Sequence, residues 1–534
     1  MEKEYDNLLL ADVVCHGVPS QKIFDRCLDK KEAITEISFR DKEVFGWSPG
    51  LSLKYQDGTE YIGRKSDPYM FGFLNNWILR KTCYDCKFKN KKYSDLSLGD
   101  FWGIQEICGF GDREGVSFVT LNTRKGAYFF KSVLPKFVQT VCLPTDAAED
   151  YNPCISQSVD KTECRELFFE EWKRDSSRSL ENMIQVVKKR IHFDAALVYM
   201  WGINYGNALT NYALHRFLQL QGLNVVVLDN YCVLAPVKQF KKFAQEQYVL
   251  SSKYFPNFDH EMLNECCDTF IVGSDQNWNY RYAQYYGYQD YFLLDFVADD
   301  KKKVSYGTSF GEPEAAPPVE TGKKLYSGFH AISVREEFGV DLCRSVYGVD
   351  AIWVSDPVFL LEQTDYDALL EGTSVPESGP YIAVYFLNPT GKKRELCKQV
   401  QQELGGIGMI NILDANLREP DYHRKILEYD NIKADLSVEE WLAYIRNACF
   451  VITDSYHGTC FSIIFGKKFV TVKNRESGRF MTFDLFPEIR NRIIENDASY
   501  DAAQFTEDVD YASLNERLAE QIEKSKQFIR EKIL

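Results

Sequence analysis

The chain has 534 residues, enough for about three domains, and its 45% hydrophobic and 26% charged residues are ordinary for a soluble globular protein. The formal net charge of −15 argues against a general nucleic-acid or membrane-surface binder, but not against a local basic pocket. No apolar run reaches the roughly 20 residues that span a bilayer, and the charged start is unlike a secretory signal. We therefore expect a cytoplasmic protein without membrane insertion, and leave peripheral membrane association open. Its fifteen cysteines are expected to be thiols, metal ligands or redox groups rather than disulfides.

The first 175 residues show no regular alternation of strand and helix patterns, so we predict a separate, smaller α+β domain there. Its densest motif is Cys83-Tyr-Asp-Cys86, which can supply two thiolates from one turn. Cys15 can supply a third thiolate through folding. Residues 176–192 are charged, with apolar residues at helical spacing, and are predicted to form a helical linker.

Four motifs in this region resemble the C-terminal part of the beta subunit of deazaflavin-coenzyme-reducing hydrogenases and related dehydrogenases, over about residues 5–175. The motifs are Asp12–Ser20, Phe39–Lys42 with Gly46 and Trp47, Cys83–Lys89 and Asp95–Gly103. The resemblance implies that Cys15, Cys83 and Cys86 bind an iron–sulfur cluster, expected as [4Fe–4S]. The family's fourth cysteine precedes the first motif, in a segment expected to be absent here with most of the flavin-binding part. Flavin is therefore not expected, and Cys108 is the nearest substitute for the fourth ligand.

Three interpretations of these thiols stay open. The first is a cluster with an unusual or open fourth ligand, because a cubane cluster wants four thiolates or three and a surrogate. The second is a tetrahedral zinc site. The third is a remnant with free thiols that serves docking or stability.

A different pattern begins near residue 192. It predicts a buried strand, a glycine-bearing loop, an amphipathic helix and a second strand at residues 195–200, 202–207, 208–220 and 224–228. This order is that of a βαβ unit, which implies a parallel sheet.

Further strand patterns follow along the chain. They fall at residues 269–272, 303–306, 331–334 and 351–354, and, after a Gly/Ser/Pro break at 370–380, at 381–386, 409–413, 450–453 and 468–472. We predict an α/β fold with two Rossmann-like lobes, residues 193–370 and 381–534, and a cleft between them.

The most informative stretch is Val451–Cys460, where a strand pattern runs into the polar turn 454–458 and then into an apolar helix pattern. In a doubly wound sheet such a turn lies at the carboxyl end of a strand, where ligands bind. It also lies at a helix N-terminus, where backbone N–H groups attract anions. His457 is thus placed to move a proton beside a negative ligand. The alternative is a polar loop with a solvated histidine.

Six loop motifs in the last two thirds resemble the polysaccharide pyruvyl transferase family, over about residues 193–490. In order they are Asn204–Asn207, Gly273–Asn279, Ser305–Gly311, Ser333–Glu336, Ser355–Pro357 and Thr453–Gly458. The resemblance implies a two-lobed fold like that of the GT-B glycosyltransferases. It also implies transfer of a pyruvyl group from phosphoenolpyruvate to a sugar, usually as a ketal. Some members carry Arg-Leu-His where this chain has Ser455-Tyr456-His457, so another cation must bind the donor or the donor chemistry differs.

Ketal formation needs cations for the carboxylate and phosphate of the donor and at least one proton-transfer residue. We predict His457 as the acid/base, with Asp454 as an orienting carboxylate. The residues expected to bind the donor or shape the cleft are Arg335, Lys473, Arg475, Arg479, Asn204, Gly206, Asn207, Gly273, Ser274 and Asp275. The loop at 204–207 is not a GxGxxG fingerprint, so NAD is not expected.

Each of these residues has a plainer interpretation. Arg335 could form a surface salt bridge with Glu336 or Glu337, and Asp275 could be a helix N-cap. Arg475 and Arg479 could lie in a solvated loop. Asp356 before Pro357 is interpreted as a structural turn.

The leading functional hypothesis is an enzyme that pyruvylates a cell-surface polysaccharide or its precursor. Its partners would be phosphoenolpyruvate and a glycan or lipid-linked sugar acceptor, without nucleic acid. The second hypothesis is an iron–sulfur redox module, whose redox partner the sequence does not identify, fused to a saccharide- or nucleotide-binding part. The third is a glycosyltransferase that uses an activated sugar.

Overall fold

The computed structural model of the protein describes residues 7–28, 33–89, 92–111, 115–149, 151–200, 204–229, 238–254, 260–286, 290–375, 379–415, 420–474, 478–496 and 498–534. The chain forms two compact units, Met1–Ile191 with Ser252–Phe258 and His192–Ser251 with Asp259–Leu534. Among the helices of the described residues, none has both the length and the apolar character to cross a membrane.

The first unit combines two small sheets with short helices. Its strands are β1 (Ala11–Val13), β2 (Ile34–Ser38), β3 (Leu51–Tyr55), β4 (Glu60–Gly63), β5 (Leu96–Asp100) and β6 (Ser117–Leu121). Its helices are α1 (Gln21–Cys27), α2 (Lys42–Phe45), α3 (Pro68–Leu74), α4 (Ile104–Cys108), α5 (Arg124–Val133), α6 (Thr145–Glu149), α7 (Glu163–Arg174) and α8 (Leu180–Arg190). Strand β5 pairs in parallel with β1 and antiparallel with β6, whereas β2, β3 and β4 form an antiparallel meander. This mixture confirms the prediction of a smaller α+β domain.

The segment predicted as a helical linker contains α8. The helix begins at Ser179, whose hydroxyl accepts a hydrogen bond from the N–H of Asn182, as an N-cap does. Met183 and Val187 lie one turn apart on its buried face and are fully buried. The helix packs against α7 and α3 of the first unit.

The second unit contains two α/β lobes. The first lobe has strands β7 (Phe193–Val198), β8 (Val225–Val227), β9 (Cys267–Val272), β10 (Lys302–Thr308), β11 (Ala331–Val334) and β12 (Ile352–Trp353). Its helices are α9 (Tyr205–Leu220), α10 (Lys238–Gln247), α11 (His260–Cys266), α12 (Tyr280–Tyr286), α13 (Val319–Tyr326), α14 (Glu337–Leu342) and α15 (Gln363–Leu369).

The second lobe follows the break near residue 375. Its strands are β13 (Tyr381–Tyr385), β14 (Gly408–Ile412), β15 (Ile432–Lys433), β16 (Phe450–Thr453), β17 (Lys468–Lys473) and β18 (Ile493–Glu495). Its helices are α16 (Gly391–Glu403), α17 (Pro420–Leu427), α18 (Val438–Asn447), α19 (Tyr456–Ile464), α20 (Pro487–Arg490), α21 (Ala503–Thr506) and α22 (Tyr511–Lys532).

Both lobes are built on six-stranded parallel sheets, which confirms the prediction of two Rossmann-like lobes. The first sheet has the order β12-β11-β10-β9-β7-β8, and the second has β15-β14-β13-β16-β17-β18. The strand order therefore reverses between β7 and β9 in the first sheet and between β13 and β16 in the second. Loops at such switch points form crevices where ligands of α/β proteins bind.

One hydrophobic core runs through both lobes. The ring of Tyr205 on α9 stacks on Trp441 of α18, with centroids 5.4 Å apart, and its hydroxyl donates to the carbonyl of Leu436 at 2.8 Å. The C-terminal helix α22 returns to the first lobe, where Ser525 accepts a hydrogen bond from the N–H of Ser355 at 2.8 Å. The lobes therefore meet through packed aromatic residues near the start of α9.

Candidate functional site

A buried carboxylate, Asp356, gathers side chains from both lobes. It follows β12, and its Oδ1 accepts from the hydroxyl of Thr210 at 2.7 Å and from the N–H of Val358 at 3.1 Å. Its Oδ2 accepts from Nη1 of Arg335 at 2.8 Å and lies 3.5 Å from Nε2 of His457. We call Asp356, Arg335, His457 and Tyr456 the Asp356 cluster.

The charges of the Asp356 cluster support one another. Burial alone would raise the pKa of Asp356, but His457 and Arg335 hold this pKa well below its usual value. Burial opposes the charge on Arg335, yet the carboxylates of Asp356, Glu336 and Asp275 keep the pKa of Arg335 above its usual value. The aspartate is therefore ionised and the guanidinium charged at neutral pH.

Arg335 follows β11 and is 1% exposed. Its guanidinium lies over the ring of Tyr456, 4.8 Å from the centroid, and its Nη2 is 3.6 Å from Asp275 Oδ1. Its Nε is 3.7 Å from Glu336 Oε1, so the predicted partner Glu336 is present but in the interior rather than on the surface. Among the described residues, Nε and Nη2 have no hydrogen-bond partner. The structure thus places Arg335 against protein carboxylates rather than facing solvent, which differs from its predicted role as a cation that binds the donor.

His457 lies in the first turn of α19, which Ser455 caps by accepting from the N–H of Gly458. Its imidazole is 4% exposed and packs against the backbone of Gly206 on α9. A β-carbon at position 206 would collide with Nδ1 of the imidazole, so only glycine permits this approach. The ring is therefore held between Gly206 and Asp356 of the first lobe, and it is not the solvated histidine of the alternative interpretation.

Asp454 is predicted from the sequence to orient His457. In the structure its carboxylate is bound elsewhere. It accepts from the N–H groups of Leu387 and Asn388 at 2.6 and 2.9 Å, across the switch point between β13 and β16. Nζ of Lys393 contacts it at 2.6 Å and also donates to the Asn388 carbonyl at 2.8 Å and Asn474 Oδ1 at 2.9 Å. We call this arrangement the Lys393–Asp454 pair. The carboxylate beside His457 is Asp356.

The switch point of the first sheet brings the predicted loop residues together. Asn204 caps α9 by accepting from the N–H of Asn207 at 2.8 Å, and the Asn207 side chain donates to Asp275 Oδ2 at 3.2 Å. Asp275 has a φ of +70°, a left-handed conformation that is uncommon for non-glycine residues. It does not cap a helix, and its position near Nη2 of Arg335 joins this loop to the Asp356 cluster.

Gly273 and Ser274 hold the end of β9. The Gly273 carbonyl accepts from the side chains of Asn277 at 2.9 Å and Thr308 at 2.9 Å, and the Ser274 hydroxyl donates to the Gly307 carbonyl at 2.8 Å. Both residues are therefore bonded within the loops at this edge of the sheet.

Of the predicted donor-binding residues Lys473, Arg475 and Arg479, the structure describes the side chain of Lys473 alone. Nζ of Lys473 lies 3.2 Å from Glu495 and 3.9 Å from Asp484, at the end of β17. Arg475 lies outside the described residues. Arg479 belongs to the 3-10 helix Gly478–Leu485, whose Thr482 hydroxyl donates to the Arg335 carbonyl at 3.4 Å.

Asp356, the residue at the centre of the cluster, is not among the site residues predicted from the sequence. Asp356 caps the 3-10 turn Pro357–Phe359, which agrees with its interpretation as a structural turn residue. It also contacts Arg335 and His457. Its signal was a position shortly after a predicted strand, which Asp454 shares. Thr210 lies within the predicted helix 208–220, and neither Thr210 nor Lys393 belongs to a motif that the sequence singles out.

The first unit holds the predicted metal ligands. Cys15 and Cys86 line one cavity of about 440 Å³. Cys83 lies in the 3-10 helix Lys81–Asp85, and its sulfur accepts from the N–H of Val18 at 3.3 Å. Cys108, the predicted substitute, ends α4 and packs against the small core around Phe101.

Two family models match the chain. The model described as polysaccharide pyruvyl transferase matches residues 204–476, slightly more than half of the chain. The model that describes the C terminus of the beta subunit of coenzyme F420 hydrogenase/dehydrogenase matches residues 1–145. Both resemblances inferred from the sequence motifs are thereby confirmed. A comparison with curated proteins finds no match.

Solved structures resemble the chain only weakly. UDP-GlcNAc 2-epimerase from Neisseria meningitidis bound to UDP-GlcNAc has 12% identity and a TM-score of 0.37, over 61% of this chain and 100% of its own. The S. aureus MnaA–UDP structure has 11% identity and a TM-score of 0.39, over 62% of this chain and 90% of its own. Acinetobacter baumannii MurG has 11% identity and a TM-score of 0.31, over 62% of this chain and 95% of its own. Similarities this weak identify no function, and the fold rests on the strand order itself.

Proposed function

Because the chain belongs to the polysaccharide pyruvyl transferase family, an enzyme family of polysaccharide modification, we propose that it transfers the pyruvyl group of phosphoenolpyruvate to a sugar. The acceptor would be a cell-surface polysaccharide or its lipid-linked precursor, and the product a ketal. The observation that carries the proposal is His457, a buried histidine beside an ionised carboxylate at a sheet switch point.

The reaction assigns a clear task to His457. Protonation of the methylene carbon of phosphoenolpyruvate gives a methyl group and an oxocarbenium-like centre at the neighbouring carbon. A sugar hydroxyl attacks that carbon and loses its proton, phosphate leaves, and a second hydroxyl closes the ketal. The proton must be delivered and removed by a positioned acid/base, which contributes about 10²–10⁴-fold to such reactions.

The Asp356 cluster suits this task. Asp356 lies at Nε2 of His457, and Nδ1 of the same ring faces Gly206. The ionised carboxylate stabilises the imidazolium and fixes the ring orientation. Arg335 and Thr210 in turn hold the carboxylate in place. Asp356 is thus a positioning residue that acts through His457.

The donor carboxylate and phosphate need cations. Lys473, Arg475 and Arg479 remain the proposed donor-binding set, with the loop residues Asn204 and Asp275 shaping the cleft. In this proposal Arg335 acts on the donor indirectly, because its guanidinium is already neutralised by carboxylates.

The test is incubation of the purified protein with phosphoenolpyruvate and a panel of lipid- and nucleotide-linked sugars. Phosphate release and the mass of the sugar are measured together. We expect acceptor-dependent release of phosphate and a pyruvylated sugar, reduced about 10²–10⁴-fold in His457→Ala. The control is His192→Ala, at a half-exposed histidine outside the cluster, which should keep full activity. Absence of acceptor-dependent release across the panel, without stabilisation by phosphoenolpyruvate against heat, would contradict the proposal.

A second variant tests the position of the ring rather than its chemistry. Gly206→Ala places a β-carbon against the imidazole of His457, so we expect activity to fall at least about tenfold while the imidazole remains present. Gly391→Ala is the matched control, because this glycine also begins a helix after a strand and nothing lies within 4 Å of its added β-carbon. Equal activity of the two variants would remove His457 from the mechanism.

A further inference from the structure

A fourth cysteine of the first unit shares a cavity with two of the three predicted metal ligands. Cys154 lies in the 3-10 helix Pro153–Ile155 and lines the cavity of about 440 Å³ together with Cys15 and Cys86. Since one water molecule occupies about 30 Å³ in the liquid, this volume holds far more than a single ion or water. The cavity therefore has room for a multi-atom cofactor between the three thiols.

Hydrogen bonds fix the segments that carry these cysteines around one another. Nζ of Lys89, three residues after Cys86, donates to the backbone carbonyls of both Cys15 and Cys154. The N–H of Cys86 donates to the hydroxyl of Ser158 at 2.8 Å. The residues at 86–89 are thus bonded to both of the segments that carry Cys15 and Cys154.

The remaining thiol of the Cys-x-x-Cys turn is held by the same loop as Cys15. Cys83 accepts from the N–H of Val18, three residues after Cys15. The sulfur of Cys154 lies 3.9 Å from Nδ1 of His16, the residue that follows Cys15.

We propose that Cys154 supplies the fourth thiolate of a [4Fe–4S] site formed with Cys15, Cys83 and Cys86. Cys154 lies outside the residues 1–145 that match the hydrogenase/dehydrogenase model, so the assignment rests on this chain's own geometry. The buried Lys89 ammonium places a positive charge beside a site of four negative thiolates. The backbone N–H of Val18 places a hydrogen-bond donor on one ligand sulfur, as the groups that surround metal ligands commonly do.

As they lie in the structure, the cysteine sulfurs of the described residues are not gathered closely enough for one zinc ion to bind three of them. Four thiolates on one zinc ion, at bonds of about 2.3 Å, lie roughly 3.8 Å apart. Within the described part of the chain, no three cysteine sulfurs lie within 4.8 Å of one another. A cubane cluster binds each cysteine to a different iron atom and accepts the wider spacing.

The test uses the full chain, prepared anaerobically and reconstituted with ferrous iron and sulfide. Iron and acid-labile sulfide are counted, and the visible absorption and the electron paramagnetic resonance of the reduced protein are recorded. We expect about four iron and four sulfide per wild-type chain. Cys154→Ser should lose at least half of the iron or yield a three-iron signal. Cys108→Ser, at a partly buried thiol of the same unit, should match the wild type.

Several results would overturn the assignment. They are wild-type iron content in Cys154→Ser, loss of the cluster in Cys108→Ser, or a wild-type chain that binds no iron or binds zinc without sulfide. If Cys154→Ser fails to fold, alkylation of the loaded and unloaded wild-type chain decides the question. Loading should protect Cys15, Cys83, Cys86 and Cys154 but not the exposed Cys142. Reactive Cys154 in the loaded chain would contradict the proposal.

Discussion

Two buried ion pairs of the second unit differ in how completely their polar atoms are bonded. Lys393 donates to three acceptors, and both oxygens of Asp454 accept hydrogen bonds, so the Lys393–Asp454 pair is complete. In the Asp356 cluster, by contrast, Nε2 of His457, the hydroxyl of Tyr456 and two nitrogens of Arg335 lack hydrogen bonds within the described residues. Buried polar atoms are usually satisfied, and those that are not need a reason. The first pair is thus complete within the fold, whereas the polar atoms left without hydrogen bonds in the second fit the role that we propose for this cluster.

The largest expected effect comes from breaking the complete pair. Lys393→Met leaves the Asp454 carboxylate buried without its cation, so we expect a loss of about 3–5 kcal/mol in the free energy of unfolding. Urea denaturation of the wild type and variant measures this loss. The double variant Lys393→Met with Asp454→Asn should recover part of it, because no uncompensated charge remains. A loss below about 1 kcal/mol would show that the pair is not structural.

His215 is a buried histidine that belongs to neither the Lys393–Asp454 pair nor the Asp356 cluster. It is expected to make the stability of the fold itself depend on pH. Burial lowers the pKa of His215 to about 4, so the unfolded chain binds a proton more readily than the folded chain between pH 6.5 and 4. Stability that is present above pH 6.5 is therefore lost as the pH falls towards 4, by up to about 3 kcal/mol. His215→Phe should remove this part of the acid sensitivity in unfolding curves at pH 7, 5.5 and 4. If the variant keeps the pH dependence of the wild type, His215 does not cause this loss of stability.

The incomplete cluster should respond through activity more than through stability. Asp356→Asn keeps the acceptor for Thr210 and Val358 but removes the charge beside His457. We expect kcat to fall about 10–100-fold with little change in KM for phosphoenolpyruvate, because the change acts through the proton-transfer residue. The matched control is Asp414→Asn, at a buried carboxylate that accepts from the Tyr385 hydroxyl. A rise in KM with unchanged kcat would instead place Asp356 in donor binding.

The sequence predicts the position of His457 but not the carboxylate beside it. The strand, turn and helix pattern at 450–464 places the histidine at a switch point without any knowledge of the other lobe. Asp454 and Asp356 each lie just beyond the end of a strand, so the local sequence pattern cannot tell them apart. The choice depends on how the first lobe packs on α19, through Gly206 and the loop after β12.

Other site residues were also hard to predict because their partners are distant in the sequence. Arg335 follows a strand, as predicted, but its burial comes from Tyr456 and Asp356, which are distant in the sequence. Lys393 meets Asp454 across 61 positions, and no helix pattern reveals such a contact. Cys154 lies in a short 3-10 helix without a metal motif of its own, so only the cavity brings it to Cys15.

The smallest expected effect is the difference in stability between removing the Tyr456 hydroxyl and removing the Tyr385 hydroxyl. Tyr456→Phe removes a hydroxyl that has no hydrogen-bond partner among the described residues, so stability should change by less than about 0.5 kcal/mol. Tyr385→Phe removes a hydroxyl that donates to Asp414 at 3.0 Å and should cost about 1.5 kcal/mol. Equal losses would mean that the Asp356 cluster is as completely bonded as the Lys393–Asp454 pair. Normal stability with reduced turnover in Tyr456→Phe would show instead that the hydroxyl finds its partner in the bound ligand.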